Sequence, residues 1–165
     1  MRFASVALVA VLATVSVTTS LKGQRADTRI DPRSMQLLAD GRALKAAGNL
    51  DAATDTLETA ALVDPRNGGA FITLAQVAEA RGLPGKAIRL YREALLLEPD
   101  DRVALQGQGE ALVAKGALDR ARANLARLKT ICKGSCPEAT SLAASIVKGP
   151  PVTTAQVEPN PTGKP

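Results

Sequence analysis

The sequence predicts an all-α protein, an α-solenoid of three helix-turn-helix repeats followed by a C-terminal capping helix. The main observation is a period of 34 residues, at which glycine, alanine and proline recur in the same order. The aligned residues are Gly48, Gly82 and Gly116, then Ala53, Ala87 and Ala121, and then Pro65 and Pro99 in the first two copies. A fixed period of this length is typical of stacked units, each of which cannot bury its apolar face alone. No segment alternates between apolar and polar residues convincingly enough to predict a sheet.

Each copy divides into two predicted helices joined by a glycine turn. In the first copy, residues 34–47 predict a helix, Gly48-Asn49 a turn, and residues 50–63 a second helix. The glycine is expected to end the first helix, because a chain that leaves a helix favours a left-handed residue there. Asp64-Pro65 ends the second helix, since proline has no amide hydrogen and clashes with a continuing turn. The repeats are therefore expected at about 34–67, 68–101 and 102–135.

Small and bulky residues also recur at fixed places, which predicts how the helices pack. Small residues at 41, 75 and 109 are expected to face the recurring alanines, because helix backbones approach closely where both side chains are small. The bulky residues expected to fill the space between neighbouring units are Leu57, Tyr91 and Leu125. The stretch Gly107-Gln108-Gly109 lies within a repeat helix, so close packing explains it better than a phosphate-binding loop does. Aromatic residues make up only 2% of the chain, so the predicted core is mainly Ala, Leu, Val and Ile.

With these features in this order, the segment from Ser34 to Cys132 resembles three consecutive tetratricopeptide repeats. The shared features are the small–small pairing, the turn glycine, the bulky residue and the acid-proline stop. The third copy departs from the family pattern, with Leu128 at a small position and Cys132-Lys133 in place of the acid and proline. Terminal repeats are commonly atypical, because one of their faces has no neighbour. The resemblance implies a solenoid whose first helices line a concave groove.

The resemblance also implies that another protein or a peptide binds in this groove. The residues it places there are Met35, Leu38, Arg42 and Lys45 from the first copy, Ile72, Gln76 and Glu79 from the second, and Val103, Gln106, Glu110 and Val113 from the third. Basic residues at one end and acidic residues at the other suit an extended peptide of opposite polarity. Family members that bind chaperone tails clamp a carboxylate with Lys, Asn and Arg, whereas Leu38, Ile72 and Gln106 occupy the lysine-type positions here. The alternative is that some of these residues only cover the core.

Residues 1–20 predict a secretory signal peptide. Arg2 is a short positive region, an apolar run follows from Phe3 to Val17, and small residues up to Ser20 suit cleavage near that position. A transmembrane helix needs about 20 strongly apolar residues, and this run is shorter and weaker. The protein is therefore expected to be periplasmic or secreted, with no integral membrane span after cleavage. An uncleaved N-terminal membrane anchor is the alternative.

Three further segments flank the repeats, and the repeat domain as a whole is expected to span 32–148. Residues 21–31 are interpreted as a polar linker that ends where Asp31 caps the first helix. Residues 137–147 predict a capping helix that covers the exposed face of the third repeat with Leu142, Ala143 and Ile146. Residues 149–165 contain five prolines and predict a disordered or partly polyproline-like tail, for which a docking peptide is the alternative.

Cys132 and Cys136 carry the most distinctive chemistry in the sequence. Two cysteines four positions apart, at a helix–helix joint of an exported protein, suggest a disulfide. The alternatives are free thiols and a redox-active pair in which a helix N-terminus activates Cys136. The C-x-x-x-C spacing and the lack of a βαβ pattern argue against the redox pair. No metal site is expected, because two thiols in a chain without histidine do not provide four ligands.

Composition argues against catalysis and against nucleic-acid binding. The chain has no histidine, so the commonest general base is missing and neither an enzyme nor a cofactor is expected. The formal net charge of +5 would suit anionic partners. Lys and Arg are nevertheless spread along the chain, and no aromatic residues are interleaved with them to stack on bases. A nucleic acid is therefore not expected as a partner.

The function expected from these observations is that of an exported interaction scaffold, which binds a peptide or a partner subunit in the periplasm. One alternative is a thiol-redox or chaperone-like factor that uses Cys132 and Cys136. Another alternative is a membrane-tethered assembly factor, because the chain resembles the repeat proteins that accompany pilus or secretion machines.

Overall fold

Seven helices and no strand make up the described part of the protein, which is residues 29–151 of a computed structural model. The helices are α1 (Pro32–Ala46), α2 (Leu50–Val63), α3 (Gly68–Ala80), α4 (Pro84–Leu97), α5 (Arg102–Ala114), α6 (Leu118–Ile131) and α7 (Pro137–Lys148). None of these helices in the described range combines the length and the apolar character that a membrane span requires. The predicted signal peptide, and most of the predicted linker and tail, lie outside the described residues.

The helices pair in chain order and stack into two layers. α1 packs on α2, α3 on α4 and α5 on α6, so each pair forms one helix-turn-helix repeat. The first helices α1, α3 and α5 contact one another in sequence, and α2 and α4 each contact the first helix of the following repeat. α7 contacts both α5 and α6, as the first helix of a further repeat would. The predicted all-α solenoid of three repeats with a C-terminal capping helix is confirmed.

The period of the sequence is visible in the helix ends. The first helices end at residues 46, 80 and 114, and the second helices end at residues 63, 97 and 131. The glycines of the three turns have φ angles of 77°, 69° and 73°, a left-handed conformation that glycine adopts without strain. The repeat pattern predicts the first helix from residue 34, whereas α1 begins at Pro32. Its predicted cap is present, since the Asp31 side chain accepts a hydrogen bond from the Arg33 amide at 2.7 Å.

Leucine side chains lie closest to two of the small residues of the first helices. A Cβ atom built on Gly41 would lie 2.5 Å from Leu57 Cγ, and one built on Gly109 would lie 2.6 Å from Leu142 Cδ1. The recurring alanines Ala53, Ala87 and Ala121 are fully buried, and the predicted pairing of small residues stays a prediction. The buried leucines fill the space that the missing side chains of the two glycines leave.

α7 covers the apolar face of the third repeat. Leu142 is fully buried and Ala139 nearly so, and both belong to a hydrophobic cluster that also contains Leu105 and Leu128. Ile146 is partly buried and packs against the same cluster. Each repeat of a solenoid contacts only its neighbours, so without α7 these side chains of the third repeat would face water.

Buried polar side chains join the first repeat to the second. Ser34 donates from Oγ to a backbone carbonyl of α2 at 2.7 Å, and Asn67 donates from Nδ2 to Ser34 Oγ at 2.8 Å. Asp64 accepts hydrogen bonds from the side chain of Arg66 and from the backbone amides of Asp31 and Arg66. These bonds, with that of the Arg66 side chain as the strongest influence, hold the pKa of the Asp64 carboxyl well below its usual range.

Candidate partner-binding groove

The first helices form one face of the solenoid, and most of the predicted groove residues reach its surface. Met35 on α1 and Val103 on α5 are 47% and 45% exposed, although both are large and apolar. Arg42 is exposed, and Ile72 and Gln76 are half-buried. A depression of about 260 Å³ is lined by Arg42, Ile72, Gln76 and Val103 together with other side chains. The structure therefore brings residues of all three repeats together on one surface.

Two of the predicted groove residues lie in the core instead. Leu38 is 3% exposed and Val113 is 4% exposed. Leu38 fills the space beside Gly69, where an added Cβ atom would lie 2.8 Å from Leu38 Cδ2. Val113 belongs to a hydrophobic cluster that includes Ala121 of α6. The prediction is wrong at these two positions, because neighbouring helices cover the helix faces on which they lie.

The basic end of the groove is formed by Arg42 and Lys45 on α1. The Lys45 ammonium group donates a hydrogen bond to the side-chain oxygen of Gln76, which ties α1 to α3 at the groove surface. Arg42 makes no ion pair with any acidic residue in the range 29–151.

Glu79 on α3 is one half of an acidic centre in the groove. Its Oε2 atom accepts a hydrogen bond from the Tyr91 hydroxyl at 2.8 Å. Tyr91 is only 1% exposed and reaches Glu79 through the core, where the absence of a side chain at Gly107 leaves room for the ring. Burial is the main cause that raises the pKa of Glu79 above its ordinary value, and the charge of Glu110 raises this pKa further. The Tyr91 hydrogen bond lowers it. Burial also raises the pKa of Tyr91, and the charge of Glu79 raises it further.

Glu110 on α5 is the other half, and two neutral donors hold it. Its Oε1 atom accepts hydrogen bonds from Ser141 Oγ on α7 at 2.8 Å and from Gln106 Nε2 at 3.1 Å. Gln106 Nε2 also donates to Ser141 Oγ at 3.2 Å. Ser141 is absent from the predicted groove. The 34-residue offset aligns it with Gly107, which is buried against Tyr91, so the period predicts that α7 continues the layer of first helices but does not predict this side chain at the groove.

Comparison with known proteins gives matches in structure. No protein-family model matches the sequence, and no curated protein matches it. The first TPR of Spaghetti (RPAP3), bound to the HSP90 peptide SRMEEVD, superposes with a TM-score of 0.65 at 21% identity, over 70% of this chain and 91% of that chain. The TPR domain of Sgt2 from Aspergillus fumigatus superposes with a TM-score of 0.65 at 20% identity, over 81% of this chain and 93% of that one.

A third similar structure is the Yersinia enterocolitica type III secretion chaperone SycD in complex with a peptide of the translocator YopD. Its TM-score is 0.60 at 19% identity, over 69% of this chain and 86% of that one. The chain has the tetratricopeptide-repeat (TPR) fold. The family resemblance that the sequence predicts is confirmed at the level of the fold, which is what similarity at these identities shows.

Both cysteines lie at the joint between α6 of the TPR domain and α7. The sulfur atoms of Cys132 and Cys136 lie next to each other and the two Cα atoms are 5.9 Å apart, a geometry compatible with the predicted disulfide. Cys136 is buried and occupies the N-cap of α7. Glu138, which the sequence does not single out, brings a carboxylate oxygen within 4.8 Å of both sulfur atoms. Thiolates rather than disulfide sulfurs bind metals, so a metal at this joint would require the reduced pair.

Proposed function

We propose that this TPR domain binds an extended segment of a partner protein along its first helices. The observation that carries the proposal is the composition of that surface. Exposed Met35 and Val103 lie there beside Arg42, Glu79 and Glu110, charges of both signs that form no ion pairs within residues 29–151. The depression lined by Arg42, Ile72, Gln76 and Val103 adds a concave site on the same surface, and a mixture of apolar and charged groups suits a protein partner. Two of the similar TPR structures hold peptides in the same fold, which supports the proposal.

Photo-crosslinking tests the position of the partner. A photoreactive amino acid at Val103 should capture the partner in extract from the native cell. The matched control is the same amino acid at Leu62, which is 82% exposed but lies on α2 in the other layer. We expect capture from Val103 and none from Leu62. Equal capture at both positions would contradict a binding site on the first helices.

Charge reversal tests the basic end of the groove. Arg42→Glu combined with Lys45→Glu should weaken binding of the captured partner while leaving the helix content unchanged in circular dichroism, because Arg42 is exposed and Lys45 is only half-buried. Arg120→Glu is the control, since Arg120 is exposed on α6 and makes no ion pair in the described range. If binding survives the double reversal, the partner uses the other layer or the tail, and deletion of residues 149–165 separates these two outcomes.

We also propose that the protein acts outside the cytoplasm, in the periplasm or after secretion. The support is the signal-like pattern of residues 1–20 and a cysteine pair of the kind that persists in oxidising compartments. Mass spectrometry of the mature protein tests this proposal. A soluble chain that begins close after Ser20 is expected, whereas a membrane-bound chain that retains residues 1–20 would favour the anchored alternative.

A further inference from the structure

We propose that residues 152–165 of the C-terminal tail, which lie outside the described residues, bind in the groove of the same molecule and occupy it when no partner is bound. This occupant belongs to the chain itself, so it is distinct from the partner proposed above. Three features of the molecule support it: the direction in which the chain leaves α7, the reach of the residues that follow, and the side chains that these residues bring to the groove.

The chain leaves α7 toward the groove. Gly149 follows the last residue of the helix with a φ angle of 76°, a left-handed conformation that ends a helix. Pro150 and Pro151 then line a depression of about 410 Å³. Glu110 of α5 and Lys148 line it as well, and their opposite charges favour neither an acidic nor a basic ligand. Because Glu110 is a groove residue, the last described residues already lie beside the groove.

The residues that follow are numerous enough to cross the groove. They start beside α5, and α1 is two helices away along the layer of first helices. Packed helices lie about 8–10 Å apart, so the distance from α5 to α1 is roughly 16–20 Å. A polyproline-like chain, which the prolines of the tail favour, advances about 3.1 Å per residue. About five to seven residues after Pro151 therefore span the distance to α1.

Val157 and Glu158 are the tail residues that this distance brings to α1. Glu158 is the seventh residue after Pro151 and the only acidic residue of the tail. The depression of about 260 Å³ in the groove is lined by half-buried Ile72 and by exposed Arg42. Val157 would cover the apolar side chain. Glu158 would supply a carboxylate to Arg42, which makes no ion pair within residues 29–151.

Two acidic residues restrict where Glu158 can bind. Glu98 and Asp101 line the same depression as Arg42. The Asp101 carboxylate caps α5 by accepting a hydrogen bond from the Ala104 amide at 2.7 Å. Like charges repel, so the only favourable position for the Glu158 carboxylate in this depression is beside Arg42, which fixes the register of the tail.

Weak contacts are enough for an occupant on the same chain. A short flexible connection gives an effective concentration of the order of millimolar, so a segment with low intrinsic affinity still fills a nearby site. A partner that binds in the groove must then displace the tail, which lowers the apparent affinity of the partner by the fraction of molecules whose groove is filled.

Photo-crosslinking of the purified protein, with no partner present, tests the position of the tail. A photoreactive amino acid replaces Val103, which lines the same depression as Arg42, and mass spectrometry identifies the crosslinked residues. We expect crosslinks to the tail close to Val157, and none from the same amino acid at Leu62 on α2. Absence of tail crosslinks from Val103, or equal yields from both positions, would overturn the inference.

A charge exchange tests the pairing of Glu158 with Arg42. Each of the variants Arg42→Glu and Glu158→Arg should lower the yield of tail crosslinks from Val103 about threefold, because the ion pair would be partly exposed. The combined variant Arg42→Glu/Glu158→Arg should restore the yield, and Arg120→Glu on α6 should leave it unchanged. An unchanged yield in Glu158→Arg, which alters no described residue, would contradict the pairing even if Arg42→Glu does not fold.

Two comparisons complete the test. In a mixture of isotope-labelled and unlabelled protein, crosslinks should join segments of the same labelling, whereas mixed crosslinks would show that the tail of a second copy binds and would overturn the intramolecular arrangement. Capture of a partner from Val103 in cell extract, without tail crosslinks in the purified protein, would overturn this inference and support the proposed function. Tail crosslinks without capture of any partner would support this inference and count against the proposed function.

Discussion

Replacing Gly107 with alanine tests whether the close packing of α4 on α5 positions the acidic centre of the groove. The added Cβ atom would lie 2.2 Å from Tyr91 Cζ and 2.4 Å from the Tyr91 hydroxyl oxygen. Tyr91 is 1% exposed and its ring is rigid, so it cannot yield as the tip of a flexible side chain would. The ring must shift or α5 must move away from α4. Either change would break the hydrogen bond that Tyr91 donates to Glu79.

The expected magnitude follows from three contributions. Overpacking of a well-packed core typically costs about 1–3 kcal/mol. Loss of the Tyr91 hydrogen bond adds about 1 kcal/mol. Alanine in place of glycine within α5 favours the helix by up to about 1 kcal/mol. We therefore expect Gly107→Ala to lower the free energy of unfolding by about 2 kcal/mol.

Urea unfolding followed by circular dichroism measures this change. Gly85→Ala is the matched control, because Gly85 lies in α4 and a Cβ atom there would meet nothing within 4 Å. We expect the control to be as stable as the unaltered protein or slightly more stable. In a double-mutant cycle, the cost of Gly107→Ala should shrink once Tyr91→Leu has removed the ring. If Gly107→Ala proves as stable as the control, the reasoning about this contact is wrong.

Three further predictions concern the cap, the cysteines and the first repeat joint. Leu142→Ala should lower the free energy of unfolding by about 2–5 kcal/mol. Hydrogen exchange should then show the third repeat opening before the first two, and equal protection of all repeats would contradict the role of α7 as a cap. Cys132 and Cys136 should resist thiol labelling until they are reduced, and rapid labelling without reductant would rule out the disulfide. Replacing both with serine should lower the free energy of unfolding by about 2 kcal/mol in the chain-entropy model. Because the folded-state pKa of Asp64 is depressed, its contribution to stability is present above its unfolded-state pKa and is lost as the pH falls through the folded-state value. In thermal unfolding, Asp64→Asn should make the melting temperature fall less steeply as the pH is lowered. The same dependence of melting temperature on pH in this variant would contradict the prediction.

Most of the fold could be predicted because its signals are local in the sequence. A glycine that ends a helix, or an acid and proline that stop one, acts through the conformation of its own few residues. Residues 34–47 and 50–63 are the predicted first two helices, and the structure has Pro32–Ala46 and Leu50–Val63. The remaining difference lies at the ends of α1, although Asp31 caps this helix as predicted.

The groove could be predicted only in part, because the burial of a side chain depends on helices distant in sequence. Leu38 and Val113 have the spacing of groove residues, yet neighbouring helices cover them. Tyr91 lies on α4, the second helix of its repeat, and its ring reaches the groove through the space that Gly107 of α5 leaves open. The 34-residue offset continues from α5 into α7, but it aligns Ser141 with the buried Gly107, so the period does not predict the contact of Ser141 with Glu110. The apolar residues of α7 predict its cap role but do not predict its hydroxyl contact with the groove.

α7 therefore has two roles, which two adjacent residues carry. Leu142 fills the space beside Gly109 in the core, and Ser141 donates to Glu110 in the groove. Adjacent residues of an α-helix point about 100° apart, so one helix can pack on the core and line the groove at the same time. The charge of Glu110 thus lies at the boundary between the third repeat and its cap.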